Sequence, residues 1–199
     1  MTEVLAPQES GEIKHNCGII GIYRTKSNVD LVPNAIPLLL TLQHRGQEGA
    51  GIALHENGFW DKEEEIFKGT GKVVDIFSFD GEGTRSLFER DPDILIGQTR
   101  YSTSCKLKDA WQPFEKDGIV MVHNGTFTNA MELLNDLSPQ AQKDAVSDSW
   151  IALQTIVEDP GQTVEQKLIN AASKFEGAYS LIIGAGNALY AMKDPWEMR

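Results

Sequence analysis

Cys17-Gly18-Ile19-Ile20-Gly21-Ile22-Tyr23-Arg24 is the stretch on which the reading of this chain turns. Its apolar run is short and rich in isoleucine and glycine, and it reads as a buried strand. Ahead of it stands MTEVLAPQESGEIKHN, residues 1–16, which mixes Pro, Ser, Gly and charges without periodicity and reads as an unstructured leader. A lone cysteine in an apolar strand is most often a buried core thiol. This one lies where a separable leader meets the first core strand, and that position opens a second reading.

Working outward from the cysteine, residues 31–43 (LVPNAIPLLLTLQ) read as a helix whose first turns are crowded by Pro33 and Pro37. GAGIALHE at 49–56 is a second strand, and Asn57-Gly58 signals a turn into a third. Further strands are expected around 64–69, at 94–99 and at 118–124. The period then changes: residues 128–136, 146–158 and 163–175 suit helices, the last with apolar spacing at Val164, Leu168 and Ala171. Strands at 178–184 and 187–192 finish the chain. Strands at both ends with helices between them predict an α+β architecture, two sheets sandwiched by helices.

The chain has 199 residues, 41% hydrophobic and 24% charged, ordinary for one globular domain with a full core. Its formal net charge of −11 offers no basic footprint, so nucleic acid is not expected as a partner. The two cysteines, Cys17 and Cys105, fit neither a disulfide framework nor a zinc site. The four histidines have no metal-like spacing, and structural roles are expected for them. The leader lacks the apolar core of a secretory signal, and IPLLLTL at 36–42 is too short to span a bilayer. A cytoplasmic protein without a metal, a cofactor or a membrane partner is the expectation.

Four segments could carry chemistry. Cleavage between Asn16 and Cys17 would place a thiol and a free α-amine on one residue. That amine titrates near about 7.7–8.0 and the thiol near about 8.5, so the amine can take the thiol proton. Until the cut is made the nitrogen is an amide, and the enzyme would be idle. Arg100, in Gly97-Gln98-Thr99-Arg100-Tyr101-Ser102-Thr103, offers a planar fork that suits a carboxylate; the plainer reading is a surface salt bridge. Asn124-Gly125 is either a hairpin turn or a pair of donors for an oxyanion. Asp148, in Ser147-Asp148-Ser149, is either a helix cap or a carboxylate that holds an ammonium group. Arg100 and Asp148 together could grip both ends of an α-amino acid. Lys68-Gly69-Thr70-Gly71-Lys72 lacks the first glycine and final Ser/Thr of a phosphate-binding loop and is read as a turn.

In this order the segments resemble the class II glutamine amidotransferases, N-terminal-nucleophile hydrolases. The resemblance rests on Cys17-Gly18-Ile19-Ile20-Gly21-Ile22, on Leu42-Gln43-His44-Arg45-Gly46-Gln47-Glu48-Gly49-Ala50-Gly51-Ile52, and on the Arg100, Asn124-Gly125 and Asp148 segments. It covers residues 17–199, and the LQHRGQEGAG wording is nearest to the amidophosphoribosyltransferase glutaminase domains of purine synthesis. It implies a four-layer αββα sandwich, with 1–16 as a propeptide and 17–199 as the glutaminase domain. Cys17 would be the nucleophile, with Asn124 and Gly125 stabilising the oxyanion. Arg100 and Thr103 would bind the glutamine carboxylate and Asp148 its ammonium, while Arg45 and Gly46 shape the wall. The chain departs from the family wording at Gln98-Thr99 and at Trp150, which follows Ser149.

The resemblance implies glutamine as substrate and an ammonia-accepting synthase domain or subunit as partner, within a homo-oligomer or a hetero-complex. No phosphoribosyl-diphosphate signature and no iron–sulfur ligands are seen before the sequence stops at KDPWEMR. Two alternatives stand beside this one: an amidase or acyltransferase on another amide, and a catalytically silent module that keeps its leader.

Overall fold

A computed structural model describes residues 17–78, 82–101 and 111–198, with the side chains of residues 82 and 83 left aside. In chain order the elements are β1 (Gly18–Tyr23), α1 (Leu31–Thr41), β2 (Gly49–Glu56), β3 (Phe59–Trp60), β4 (Phe67–Thr70), α2 (Val73–Ile76), α3 (Glu82–Phe88) and β5 (Ile94–Arg100). There follow β6 (Phe114–Lys116), β7 (Ile119–Phe127), α4 (Ala130–Asp136), α5 (Pro139–Asp144), α6 (Asp148–Val157), α7 (Val164–Lys174), β8 (Gly177–Ala185) and β9 (Ala188–Lys193).

The strands form two antiparallel sheets. The first runs β1-β5-β2-β3, with β4 sharing the free edge of β2 at the end away from β3; the second runs β6-β7-β8-β9. Side-chain alternation along each strand sorts residues to opposite faces. On β5, Ile94 and Ile96 face the second sheet, while Leu95 faces the helices over the first. On β7, Val120 and Val122 face the first sheet, while Ile119 and Met121 pack beneath α4, α6 and α7. Three apolar layers therefore lie between four layers of backbone, in the order α, β, β, α. This is the predicted sandwich.

The first helix forms in spite of its prolines. Pro33 lies in the first turn, where its missing N–H is no loss, and Pro37 lies inside the helix. The stripe Leu31, Val32, Ala35 and Leu39 is buried against the first sheet, and burying each large member contributes roughly 1.5–3 kcal/mol. That outweighs one lost backbone hydrogen bond. The helix stops at Thr41 rather than 43, and a 3₁₀ turn over Gln43–Arg45 follows.

Side-chain hydrogen bonds tie the two sheets together. The Trp60 indole N–H donates to the Gly186 carbonyl at 2.9 Å, and its ring passes where a Cβ on Gly184 would stand. Midway along β7, the buried Gln98 amide donates to the His123 carbonyl at 2.7 Å.

Several elements differ from expectation. The strand expected at 64–69 begins at Phe67, because Lys62 and Glu65 close a turn through Glu65 N–H to Lys62 O and Lys62 N–H to the Glu65 carboxylate. Residues 68–70 of the supposed Lys68–Lys72 turn are therefore strand. Helices α2, α3 and α5 and strand β6 were not foreseen; each is too short to show a period. The strand expected at 118–124 runs on to Phe127, so Asn124-Gly125 is no hairpin turn.

Candidate active site

Cys17 immediately precedes β1, whose pairing with β5 sets Gly18 opposite Thr99. The Gly18 N–H donates to Thr99 Oγ1 at 3.3 Å, and that hydroxyl donates to Leu42 O at 3.2 Å. A Cβ on Gly18 would stand 2.6 Å from Leu42 Cβ, so only glycine lets the strand start this close to the following loop. Arg45 Nε donates to the Cys17 carbonyl at 3.4 Å, and the thiol lies 3.9 Å from Tyr101 O. The half-buried nucleophile candidate is thus held by groups from two segments, Leu42–Arg45 and Thr99–Tyr101.

Arg100 ends β5 and is buried, against the plainer expectation of a surface salt bridge. The Gln43–Glu48 segment crosses its backbone: Glu48 N–H donates to Arg100 O at 3.0 Å, and a Cβ on Gly46 would stand 2.6 Å from Arg100 N. Gln43 staples that crossing, accepting from Val73 N–H at 2.6 Å and donating to Gly46 O. Arg45 thus lies against Cys17, and Gly46 against the Arg100 backbone. Thr103 and Cys105 lie outside the described residues.

On the second sheet, the alternation that turns Val120 and Val122 inward carries Asn124 to the same side, towards the first sheet. Asn124 is buried, and its amide oxygen has no hydrogen-bond partner among the described residues. Gly125 has φ +146°, and a Cβ there would overlap the Ala178 carbonyl and stand 2.7 Å from Tyr179 Cα. Backbone N–H directions alternate too. His123 N–H goes to Gln112 Oε1 and Phe127 N–H to Asp148 Oδ2, both on the edge away from β8. The Gly125 N–H points from that same edge, between two neighbours whose partners are side chains.

Asp148 opens α6, but Ser147 is the cap, its hydroxyl accepting from Trp150 N–H at 3.2 Å. The Asp148 carboxylate instead reaches back to β7. Oδ2 accepts from Phe127 N–H at 3.2 Å, and Oδ1 accepts from Ser149 N–H at 2.8 Å and Ser149 Oγ–H at 3.3 Å. Burial pushes the Cys17 thiol above its ordinary range; a Tyr101 backbone hydrogen bond and the Arg100 charge pull it down, and the Asp148 charge pushes it up. The two charged residues belong to different sheets, Arg100 at the end of β5 and Asp148 against β7.

Sequence reasoning missed Gln112, His123 and Ser149, which lie buried beside Asp148. His123 was read only as structural, and Gln112 gave no signal in one dimension. Among the described residues, no group of three or more His, Cys, Asp or Glu side chains is placed to hold a metal ion. No described helix is long and apolar enough to cross a membrane.

Comparison with known proteins agrees with this geometry. The glutamine amidotransferase domain family matches residues 98–198, just over half of the chain. The chain is 34% identical over 207 residues to amidophosphoribosyltransferase 3, chloroplastic, of Arabidopsis thaliana, covering 100% of this chain and 36% of that protein. It is 35% identical over 191 residues to the amidophosphoribosyltransferase of Methanocaldococcus jannaschii, covering 92% and 38%. It thus spans little more than a third of the length of these relatives. Among solved structures, the glutamine phosphoribosylpyrophosphate amidotransferase of B. subtilis superposes with a TM-score of 0.72 at 24% identity, over 92% of this chain and 38% of that one. That likeness shows the fold, two antiparallel sheets sandwiched between helices. By the family match, the chain belongs to the glutamine amidotransferase domain family.

Proposed function

We propose that residues 17–199 form a glutaminase domain that hydrolyses glutamine to glutamate and ammonia, with residues 1–16 as a leader removed beforehand. The observation that carries this reading is the placement of Cys17 beside the end of β5, where Arg100 is buried and Tyr101 O lies 3.9 Å from the thiol, with the Asp148 carboxylate held against β7 on the facing sheet. A free α-amino acid presents the complementary pair.

Cutting the Asn16–Cys17 bond frees the α-amine, which takes the thiol proton. The thiolate attacks the glutamine side-chain amide carbon, forming a C–S bond and moving the carbonyl electrons onto oxygen. The Asn124 side-chain amide and the Gly125 N–H receive that oxyanion; one such donor typically supplies about 2.7–4 kcal/mol. The ammonium formed at the N-terminus returns its proton to the leaving nitrogen, and ammonia departs. Water, deprotonated by the same amine, resolves the γ-glutamyl thioester and restores the thiol. Arg100, with Thr103, binds the α-carboxylate through its planar fork. Asp148 binds the α-ammonium, and Arg45 and Gly46 wall the site.

The names of the relatives support a phosphoribosyltransferase of purine synthesis as the acceptor of the ammonia, on a further domain or subunit of a homo-oligomer or hetero-complex. The test is direct. Protein that begins at Cys17, verified by mass spectrometry, is incubated with glutamine and the glutamate released is measured. Turnover that disappears in Cys17→Ala is expected. No turnover from correctly exposed Cys17 would defeat the reading, and turnover by chain still carrying residues 1–16 would defeat the role of the amine.

A further inference from the structure

Behind Asp148 the structure holds three buried polar side chains, Gln112, His123 and Ser149, linked by hydrogen bonds. Gln112 Oε1 accepts from the His123 backbone N–H, which can only donate. That contact fixes the Gln112 amide, so its Nε2 is the end that faces Ser149 Oγ at 3.0 Å, and it donates there. His123 Nδ1 lies 2.8 Å from the same hydroxyl. A serine oxygen offers two acceptor sites and one proton. Among the described residues the acceptor-only group within its reach is Asp148 Oδ1, at 3.3 Å, and the hydroxyl donates there. The two acceptor sites then suit Gln112 Nε2–H and, in its Nδ1–H tautomer, His123.

Building on the reading of Asp148 as the ammonium ligand, we propose that Ser149 is a positioning residue, oriented by Gln112 and His123, that sets the plane of the Asp148 carboxylate for the substrate α-ammonium. A carboxylate has about four lone-pair sites. Three are filled, by Phe127 N–H, Ser149 N–H and Ser149 Oγ–H. The remaining one, on Oδ2, is left for the ligand. Without the hydroxyl the carboxylate keeps its charge but loses one of the two bonds that hold Oδ1 and fix its rotation. The network also ties substrate recognition to the oxyanion donors: His123 immediately precedes Asn124, and Phe127 follows Gly125 by two residues on the same strand.

The experiment compares glutamine with glutaramate, which keeps the amide and the carboxylate but lacks the α-ammonium. The readout is the ratio of the two kcat/KM values, which cancels any general loss of folded or active protein. In Ser149→Ala this ratio should fall about tenfold, the scale of a charge-assisted hydrogen bond. Ser149→Thr, which keeps the hydroxyl, should restore it. Ser149→Cys, whose thiol is a weak donor of similar volume, should fall between and serves if the alanine variant does not fold. An active wild-type protein whose ratio is unmoved in both Ala and Cys variants overturns the positioning role alone. A wild-type protein that ignores glutamine removes the reading beneath it, and the inference with it.

Discussion

Arg45 Nε donates to the carbonyl oxygen of Cys17 across 3.4 Å, joining the loop after α1 to the residue that opens β1. The bond fixes the peptide plane that follows the nucleophile without touching the sulfur. Arg45→Met keeps most of the side-chain stem and removes the donor. We expect kcat for glutamine to fall about fivefold, the effect of roughly 1 kcal/mol, with KM little changed. Steady-state kinetics on processed protein check this.

Asp148→Asn keeps an oxygen for the Phe127 N–H and removes the charge. Hydrogen bonds to charged groups are worth about 1.5–3 kcal/mol, so kcat/KM for glutamine should fall roughly tenfold to a hundredfold. Burial raises the Cys17 thiol pKa first, but Asp148 adds to that rise. The same variant should therefore lower the pH midpoint for alkylation of Cys17. A rate profile with iodoacetamide measures the shift.

Gly125→Ala meets both a left-handed backbone and the Ala178 carbonyl. Backbone strain alone costs of order 1–3 kcal/mol, and the overlap adds to it. A loss of at least about 3 kcal/mol, roughly 6–12 °C in Tm for a chain of this size, is expected by thermal unfolding.

At the surface, the Tyr190 hydroxyl donates to the Glu165 carboxylate at 2.6 Å. This bond, with some burial, pushes the Tyr190 pKa up to about 12, and the same bond holds Glu165 below the usual carboxylate range. The tyrosine contribution to stability is complete below the unfolded value of about 10 and is lost as pH rises through about 12. The glutamate contribution is present above its ordinary value and fades as pH falls through its lowered one. Ultraviolet titration should show a late phenol that moves back towards 10 in Glu165→Gln.

The sandwich was legible because alternation on the core strands and the period of the long helices are one-dimensional signals. Cys17, Arg100, Asn124-Gly125 and Asp148 were singled out as candidates by the order of their segments. What was not legible depends on folding. Gln112, Ser149 and His123 stand far apart in the chain, and only the packing of α6 on β7 brings them together. Elements such as α5 are shorter than the window a period needs, although Ser138 as cap with Pro139 in the first turn was a signal that could have found it. The choice between turn and strand at Asn124-Gly125 was decided by pairing with Ser180 and Tyr179, which no local pattern reveals.

Trp60 and Gln98 fasten the two sheets at separate points on their shared face. The Cys17 sulfur rides on one slab and Asn124 and Gly125 ride on the other, so these rivets set the gap across which the proposed reaction would run. In that reading the Trp60 indole is a spacer, and loosening it should blunt turnover while leaving each proposed reacting group intact.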